Sequence, residues 1–301
     1  MSASSPDLPA AIARLAADHG LDLDEGSIAL NEMGLDFRVA TAHTPAGDEW
    51  VLRIPRRPDV AEHADVEGRL LRLVAPHLTA AVPNWRIQTR ELIAYPLLPG
   101  RPGLELDAGG EPVWHADVSS TEYATSLGDL LAELHGIDPG TARATGIEAY
   151  TPAESRDRWR ADIERVAAHF EVARDLLERW HAWLDDDGYW PDRSVLTHGE
   201  VYAGHTLVVG NRICAVLDWT TASIGDPARD FTFHRASASP AAFDLTVSRY
   251  VERGGRVGPR FAEHCTEMFS ASAVAYGIYA LTTGEAAHRD AAAAQLNPAD
   301  G

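Results

Sequence analysis

The sequence predicts a two-lobed α+β fold, and three observations carry that expectation. The first third alternates extended segments with one long amphipathic helix. A stretch dense in proline and glycine follows, Leu98-Pro-Gly-Arg-Pro-Gly103, and the remainder is helical apart from one small β-ribbon. Strands and helices segregated along a chain in this way give an α+β arrangement, with a ligand expected in the cleft between lobes. The linker divides the chain into residues 1–98 and 99–301.

Each element follows from its pattern. Residues 10–19 have helical spacing, with Ile12, Leu15 and Ala16 on one face. Ile28–Leu30, Phe37–Ala42 and Trp50–Ile54 read as strands, separated by Asn31–Asp36 and by a Pro/Gly turn at Thr44–Asp48. Asp59–Leu78 is an amphipathic helix, apolar at Val66, Leu70, Leu73 and Val74. Trp85–Gln88 and Leu92–Leu97 form a second hairpin. Beyond the linker, Thr121–His135 and Glu154–Leu184 carry a 3.6-residue period. The ribbon comprises Ser194–Thr197, a loop, Thr206–Val209, a Gly210-Asn211 turn and Ile213–Leu217. From Pro227 the chain is helical, and the alanine-rich end, 286–301, is expected to fray.

Composition narrows the function. Hydrophobic residues make up 45% of the 301 positions and charged residues 24%, enough to bury a core. A net charge of -19 disfavours nucleic acid as a partner, because phosphate backbones need a basic footprint. It agrees with a cationic ligand and equally with plain solubility. The chain contains no lysine, so all 26 basic residues are arginine. A fixed cation beside phosphate must therefore be arginine, histidine or a metal. No apolar run approaches the ~20 residues of a membrane span, and Met1–Ala10 lacks the charged and apolar regions of a secretory signal. Two cysteines, Cys214 and Cys265, build no disulfide framework. A cytoplasmic monomer with no membrane or nucleic-acid partner is the expectation.

The chemistry concentrates in His198-Gly-Glu-Val-Tyr-Ala-Gly-His205, followed by the ribbon and Asp218-Trp219. A hairpin that folds back brings Glu200, His205 and Asp218 to one end, giving one candidate base and two candidate metal ligands. Phosphoryl transfer asks for this set: metal across the phosphates and a carboxylate to orient the hydroxyl nucleophile. Asp218 follows an apolar strand, where a carboxylate is costly unless it meets a metal or a cation.

These segments, with Ile224-Gly-Asp226-Pro227 and Asp230 beyond, resemble the aminoglycoside phosphotransferase and choline-kinase-like superfamily. Its pattern is His-Gly-Asp, Asn, a hydrophobic strand, Asp, then Gly-Asp-Pro. His205 in place of Asn is similar to the macrolide phosphotransferase branch. The resemblance implies a bilobal protein-kinase-like fold, a nucleotide-binding lobe at 1–98 and a catalytic, substrate-binding lobe at 99–301. It implies Glu200 as base, although relatives carry Asp there. It implies His205 and Asp218 as Mg²⁺ ligands, with His205 alternatively touching phosphate or reaching metal through water. His198 and Asp226 are implied to brace the catalytic loop. Gly34 and Phe37 resemble the phosphate loop, Arg53 replaces the phosphate-binding lysine, and Glu67 is its partner. Tyr95, Leu97 and Leu98 resemble the purine-holding hinge, and Ser126–His135 the first helix of the second lobe. Tyr202, Tyr276 and Tyr279 are candidate substrate-pocket residues, although the last two share a helix face with Phe269 that more often belongs to a core than to a substrate wall. The implied reaction moves the γ-phosphate of GTP, or ATP, to the 2′-hydroxyl of a macrolide's desosamine sugar. An aminoglycoside kinase, an amino-alcohol or sugar kinase, and a non-catalytic nucleotide-binding relative remain as alternatives.

Overall fold

A computed structural model describes residues 8–31, 36–107 and 109–298. The first part comprises α1 (Leu8–Asp18), β1 (Ala29–Asn31), β2 (Phe37–His43), β3 (Glu49–Pro55), α2 (Pro58–Val74), β4 (Ile87–Gln88) and β5 (Ile93–Pro96). The strands form an antiparallel sheet in the order β1-β2-β3-β5-β4. Alternation along β3 sorts its side chains between the two faces. Leu52 packs toward α1 with Ile12, Ala16 and Leu92. Val51 lies on the opposite face, in a cluster with Phe37, Ile93, Tyr95 and the α2 residues Val60 and Ala64. Arg53 shares that second face, which is why it meets α2. Nearly two turns farther along α2, Leu70, Leu71 and Val74 join a different, larger core. The helix therefore packs into two cores at once.

The second part begins with β6 (Arg101–Pro102), β7 (Leu104–Leu106) and β8 (Pro112–Trp114). Helices α3 (Thr121–His135), α4 (Pro139–Arg143), α5 (Pro152–Ala167) and α6 (Arg174–Asp185) follow. Then come β9 (Val195–Thr197), β10 (Thr206–Val209), β11 (Arg212–Val216) and β12 (Ser223–Gly225). The chain closes with α7 (Thr232–Ser237), α8 (Pro240–Glu252), α9 (Phe261–Ser270), α10 (Ser272–Thr283) and α11 (Ala286–Leu296). Trp180, Trp183, Trp219, Phe231, Phe243 and Tyr250 are buried in the large core between them. Among the described residues no helix is long and apolar enough to cross a membrane.

Four expectations change. The Pro/Gly segment is more than a linker, because Arg101 and Pro102 pair with Val208 and Leu207 and add β6 to the β10–β11 ribbon. β9 stands apart from that ribbon and pairs with β12. The stretch 154–184 is two helices rather than one. The alanine-rich end is helical, since α11 buries Ala292 and Leu296, and Ala173 N–H donates to the Leu296 carbonyl at 2.9 Å.

His234 on α7 is buried beside Tyr123 and Phe243, with Nε2 2.9 Å from Thr246 Oγ1 and Nδ1 without a partner. Burial pushes its pKa down from 6.5 to about 4. Between those values the unfolded chain binds the proton and the folded chain does not. Stability is thus full above about pH 6.5 and falls as pH drops toward 4, by roughly 3 kcal/mol from this residue. Urea unfolding at pH 7.5 and 4.5 checks this. The wild type is expected to lose more than His234→Phe, and equal losses would exclude His234 as the source.

Candidate active site

Arg53 and Glu67 face each other from β3 and α2, with Nη1 2.8 Å from Oε1, both buried. Burial opposes the Arg53 charge, but Glu67 and Tyr95 outweigh it and keep its pKa raised. Burial likewise pushes the Glu67 carboxyl up, and Arg53 pulls it part of the way back. The guanidinium lies 4.1 Å from the Phe37 ring centre, a cation–π contact that fixes its plane. Arginine thus supplies the buried cation of this sheet face among the described residues, in a chain that has no lysine to place there.

Tyr95 belongs to β5, opposite Val51, rather than to the hinge. Its ring is buried and its hydroxyl is pushed up to about 12 by that burial. Leu97 N–H donates to the Glu49 carbonyl at 2.8 Å, and the Leu97 side chain is exposed. The segment joining β5 to β6 is Leu97–Gly100. Gly100 adopts φ 92°, and a methyl there would come within 2.6 Å of Cys214 Sγ. Gly34 lies outside the described residues.

The catalytic loop runs from β9 to β10 and is tied at several points. His198 is fully buried; its Nε2–H donates to the Leu217 carbonyl at 2.9 Å, and its Nδ1 accepts weakly from Glu200 N–H at 3.3 Å. This fixes the neutral tautomer, and burial keeps the ring's pKa low. His198 thereby links the loop to the strand end that carries Asp218. The stronger brace is Asp230, whose Oδ2 accepts from His198 N–H at 2.9 Å and whose Oδ1 accepts from Gly199 N–H at 2.6 Å. Burial works against the Asp230 charge, but His135 at 3.0 Å and these amides hold its pKa below the usual range. Asp226, expected in the bracing role, does something else. Its Oδ1 caps the turn at Ala228 N–H, and its Oδ2 accepts from His264 Nε2–H at 2.7 Å. The 3-10 turn over Pro227–Asp230 carries Asp230, not Asp226, to the loop.

His205 meets Asp218 through its side chain and Glu200 through the backbone carbonyl of that residue. His205 Nδ1 lies 3.0 Å from the Glu200 carbonyl, which only accepts, so that nitrogen carries the hydrogen. In the neutral ring Nε2 then offers its lone pair toward Asp218 Oδ2, 3.7 Å away. Asp218 adopts φ 58°, a left-handed backbone uncommon outside glycine and found where a site holds its residue in place. Burial disfavours its charge, but His205, the Thr220 hydroxyl at 2.6 Å and Arg53 keep its pKa lowered. Glu200 is pushed up by burial and by Asp218, with His205 and Arg229 offsetting part of the rise.

This donor set fits Mg²⁺ when phosphates complete it. Among the described residues no three metal-binding side chains converge, and Mg²⁺ commonly takes one or two carboxylates plus phosphates and water. Imidazole is softer than this ion prefers, so the Asp218 carboxylate would suit it better than the His205 ring.

A cleft of about 960 Å³ opens beside the cluster, between α2 and the walls made by α5 and β12. Trp159, Trp219, Val60 and Ile147 supply apolar lining; Glu148 and Asp162 supply carboxylates; Arg229 lies at the catalytic-loop end. None of the three candidate tyrosines lines it. Tyr276 bonds His288 Nδ1 through its hydroxyl and stacks on Tyr279, because spacing of three on α10 turns both toward α11. Tyr202 instead packs edge-on against His205, with ring centres 4.4 Å apart.

The sheet with its buried Arg–Glu pair, the braced loop and the Asp218 turn define a kinase-like phosphoryl-transfer enzyme. The sequence matches the phosphotransferase enzyme family over residues 27–265, and the chain belongs to that family. It is similar over 99% of its length to the macrolide 2′-phosphotransferase MphH from Brachybacterium faecium, an apoenzyme crystal structure, with 60% identity, full coverage of that chain and a TM-score of 0.94. A macrolide 2′-phosphotransferase type I is 37% identical with both chains fully covered and a TM-score of 0.93. The uncharacterised protein YcbJ of Bacillus subtilis (strain 168) is 40% identical over 281 residues, 92% of each chain.

Proposed function

We propose that this protein is a macrolide 2′-kinase, transferring the γ-phosphate of GTP, or of ATP, to the desosamine 2′-hydroxyl and so inactivating the antibiotic. The observation that carries the proposal is the full-length likeness to MphH at 60% identity. In this reading residues 1–98 hold the nucleotide and 99–301 supply catalysis and the acceptor site, in a monomer that works in the cytoplasm. Leu97 and Leu98 hold the purine and Arg53, braced by Glu67, steadies the phosphates. Asp218 and His205 would hold Mg²⁺, which when bound neutralises charge on the phosphates. Glu200 orients the acceptor hydroxyl and takes its proton; its burial-raised pKa makes it a better base than a free carboxylate. The macrolide ring suits the apolar part of the cleft, and Asp162 and Glu148 suit its dimethylamino cation.

Mass spectrometry of erythromycin incubated with the protein, Mg²⁺ and either GTP or ATP tests the proposal, with kanamycin in parallel. The expected product is erythromycin plus one phosphate, faster with GTP. Phosphorylated kanamycin with unmodified erythromycin would move the assignment to aminoglycosides.

A further inference from the structure

Arg229 is a cation of the active site that the motifs do not single out. It is half-buried and lines the cleft, forms no close ion pair with a carboxylate among the described residues, and acts electrostatically on Glu200. Among the described residues its guanidinium makes one hydrogen bond, from Nη1 to Ser223 Oγ at 2.7 Å, and Ser223 is itself buried in β12, opposite Thr197 of β9. A guanidinium has five N–H donors, so this is sparse use of a half-buried charge.

The other end of the guanidinium lies against the catalytic loop. A methyl group on Gly199 would come within 2.9 Å of Nη2 and 3.2 Å of Cζ, and within 2.6 Å of the Thr221 carbonyl. Gly199 also has φ 91°. The turn that presents Glu200 is thus a left-handed glycine seated against a planar cation. The adjacent Asp230 grips the same turn through its two amide bonds. Asp230 sets where the loop is anchored, while Arg229 is the stop it rests against.

We infer that Arg229 is a positioning residue, whose guanidinium, tethered to Ser223, fixes the Gly199–Glu200 turn and hence the aim of the Glu200 carboxylate at the acceptor hydroxyl. The inference rests on the phosphotransfer reading above. A misplacement near 1 Å at such a point costs on the order of 100-fold in rate. Lysine keeps the charge but lacks the planar fork.

The experiment compares wild type, Arg229→Ala and Arg229→Lys by steady-state kinetics with erythromycin and by amide hydrogen exchange. For Arg229→Ala kcat is expected to fall about 10- to 100-fold with the nucleotide KM unchanged. Lysine should recover part of the loss, and added guanidinium ion should restore rate to the alanine variant. Exchange across residues 198–201 should quicken in the alanine variant while the rest of the chain is unaltered. A kcat within twofold of wild type, or unchanged exchange in that loop, overturns the inference. If the wild type leaves erythromycin unmodified, the acceptor assignment fails, and loop exchange alone still decides for or against Arg229. Should the alanine variant not fold, Arg229→Lys carries the same exchange comparison.

Discussion

Glu200→Gln is expected to lower kcat for phosphoryl transfer by about 10²- to 10⁴-fold, the range that a positioned general base contributes, with nucleotide affinity intact. Glutamine keeps the length and packing of Glu200 and removes only the proton acceptor. The loop is held by His198, Asp230 and their bonds to backbone amides rather than by the Glu200 side chain, so its shape should persist. Glu200→Asp separates charge from reach. It restores the carboxylate found in the wider family but withdraws it by one methylene, in a loop built around the longer residue. An intermediate rate, below wild type and above the glutamine variant, is expected. Single-turnover kinetics with a nucleotide titration would read both quantities. A glutamine variant with wild-type kcat would remove Glu200 from the chemistry altogether.

Asp230→Ala should produce the largest loss of stability of any loop substitution, on the order of 3–5 kcal/mol. The side chain is fully buried, and it accepts from His198 N–H, Gly199 N–H and His135 Nε2–H. Alanine strands all three donors without water, and each unsatisfied donor costs about 1–3 kcal/mol. Against a total folding free energy of about 5–15 kcal/mol, such a change leaves the protein marginal. Chemical denaturation measures the difference directly. His135→Phe in the Asp230→Ala background should cost little more, because the two share one network. Additive losses would mean that the carboxylate and the imidazole act independently.

Much of this arrangement was legible in the chain, for physical reasons that also mark where legibility ended. Thr121–His135 is helical over the expected residues because Ser120 caps it and its apolar face is unbroken. Glu200, His205 and Asp218 could be brought together on paper because a two-residue turn dictates how β10 and β11 fold back. The break between α5 and α6 was invisible, since 168–173 contain neither proline nor glycine and the periodicity runs through them. Pairing of Pro102 with Leu207 joins residues far apart in sequence, and local pattern carries no trace of it. Asp226 and Asp230 occupy one short motif, and only the turn between them decides which reaches the loop. Arg229 left no signal beyond its charge. The tyrosines of α10 read as a packing face more than as a pocket wall, and what they pack against is α11, a segment expected to be loose.

The buried Arg53 has a practical consequence for anyone surveying nucleotide-binding enzymes by covalent labelling. Acylating nucleotide probes report on a kinase by capturing the amine of its phosphate-side lysine. Here that position offers a guanidinium whose charge Glu67 reinforces, protonated at any working pH and inert as a nucleophile. With no lysine elsewhere in the chain, such reagents would find nothing to capture in the cleft. An enzyme of this kind would be missed by amine-directed profiling and would need an arginine-selective dicarbonyl, applied with and without protecting nucleotide, to be seen.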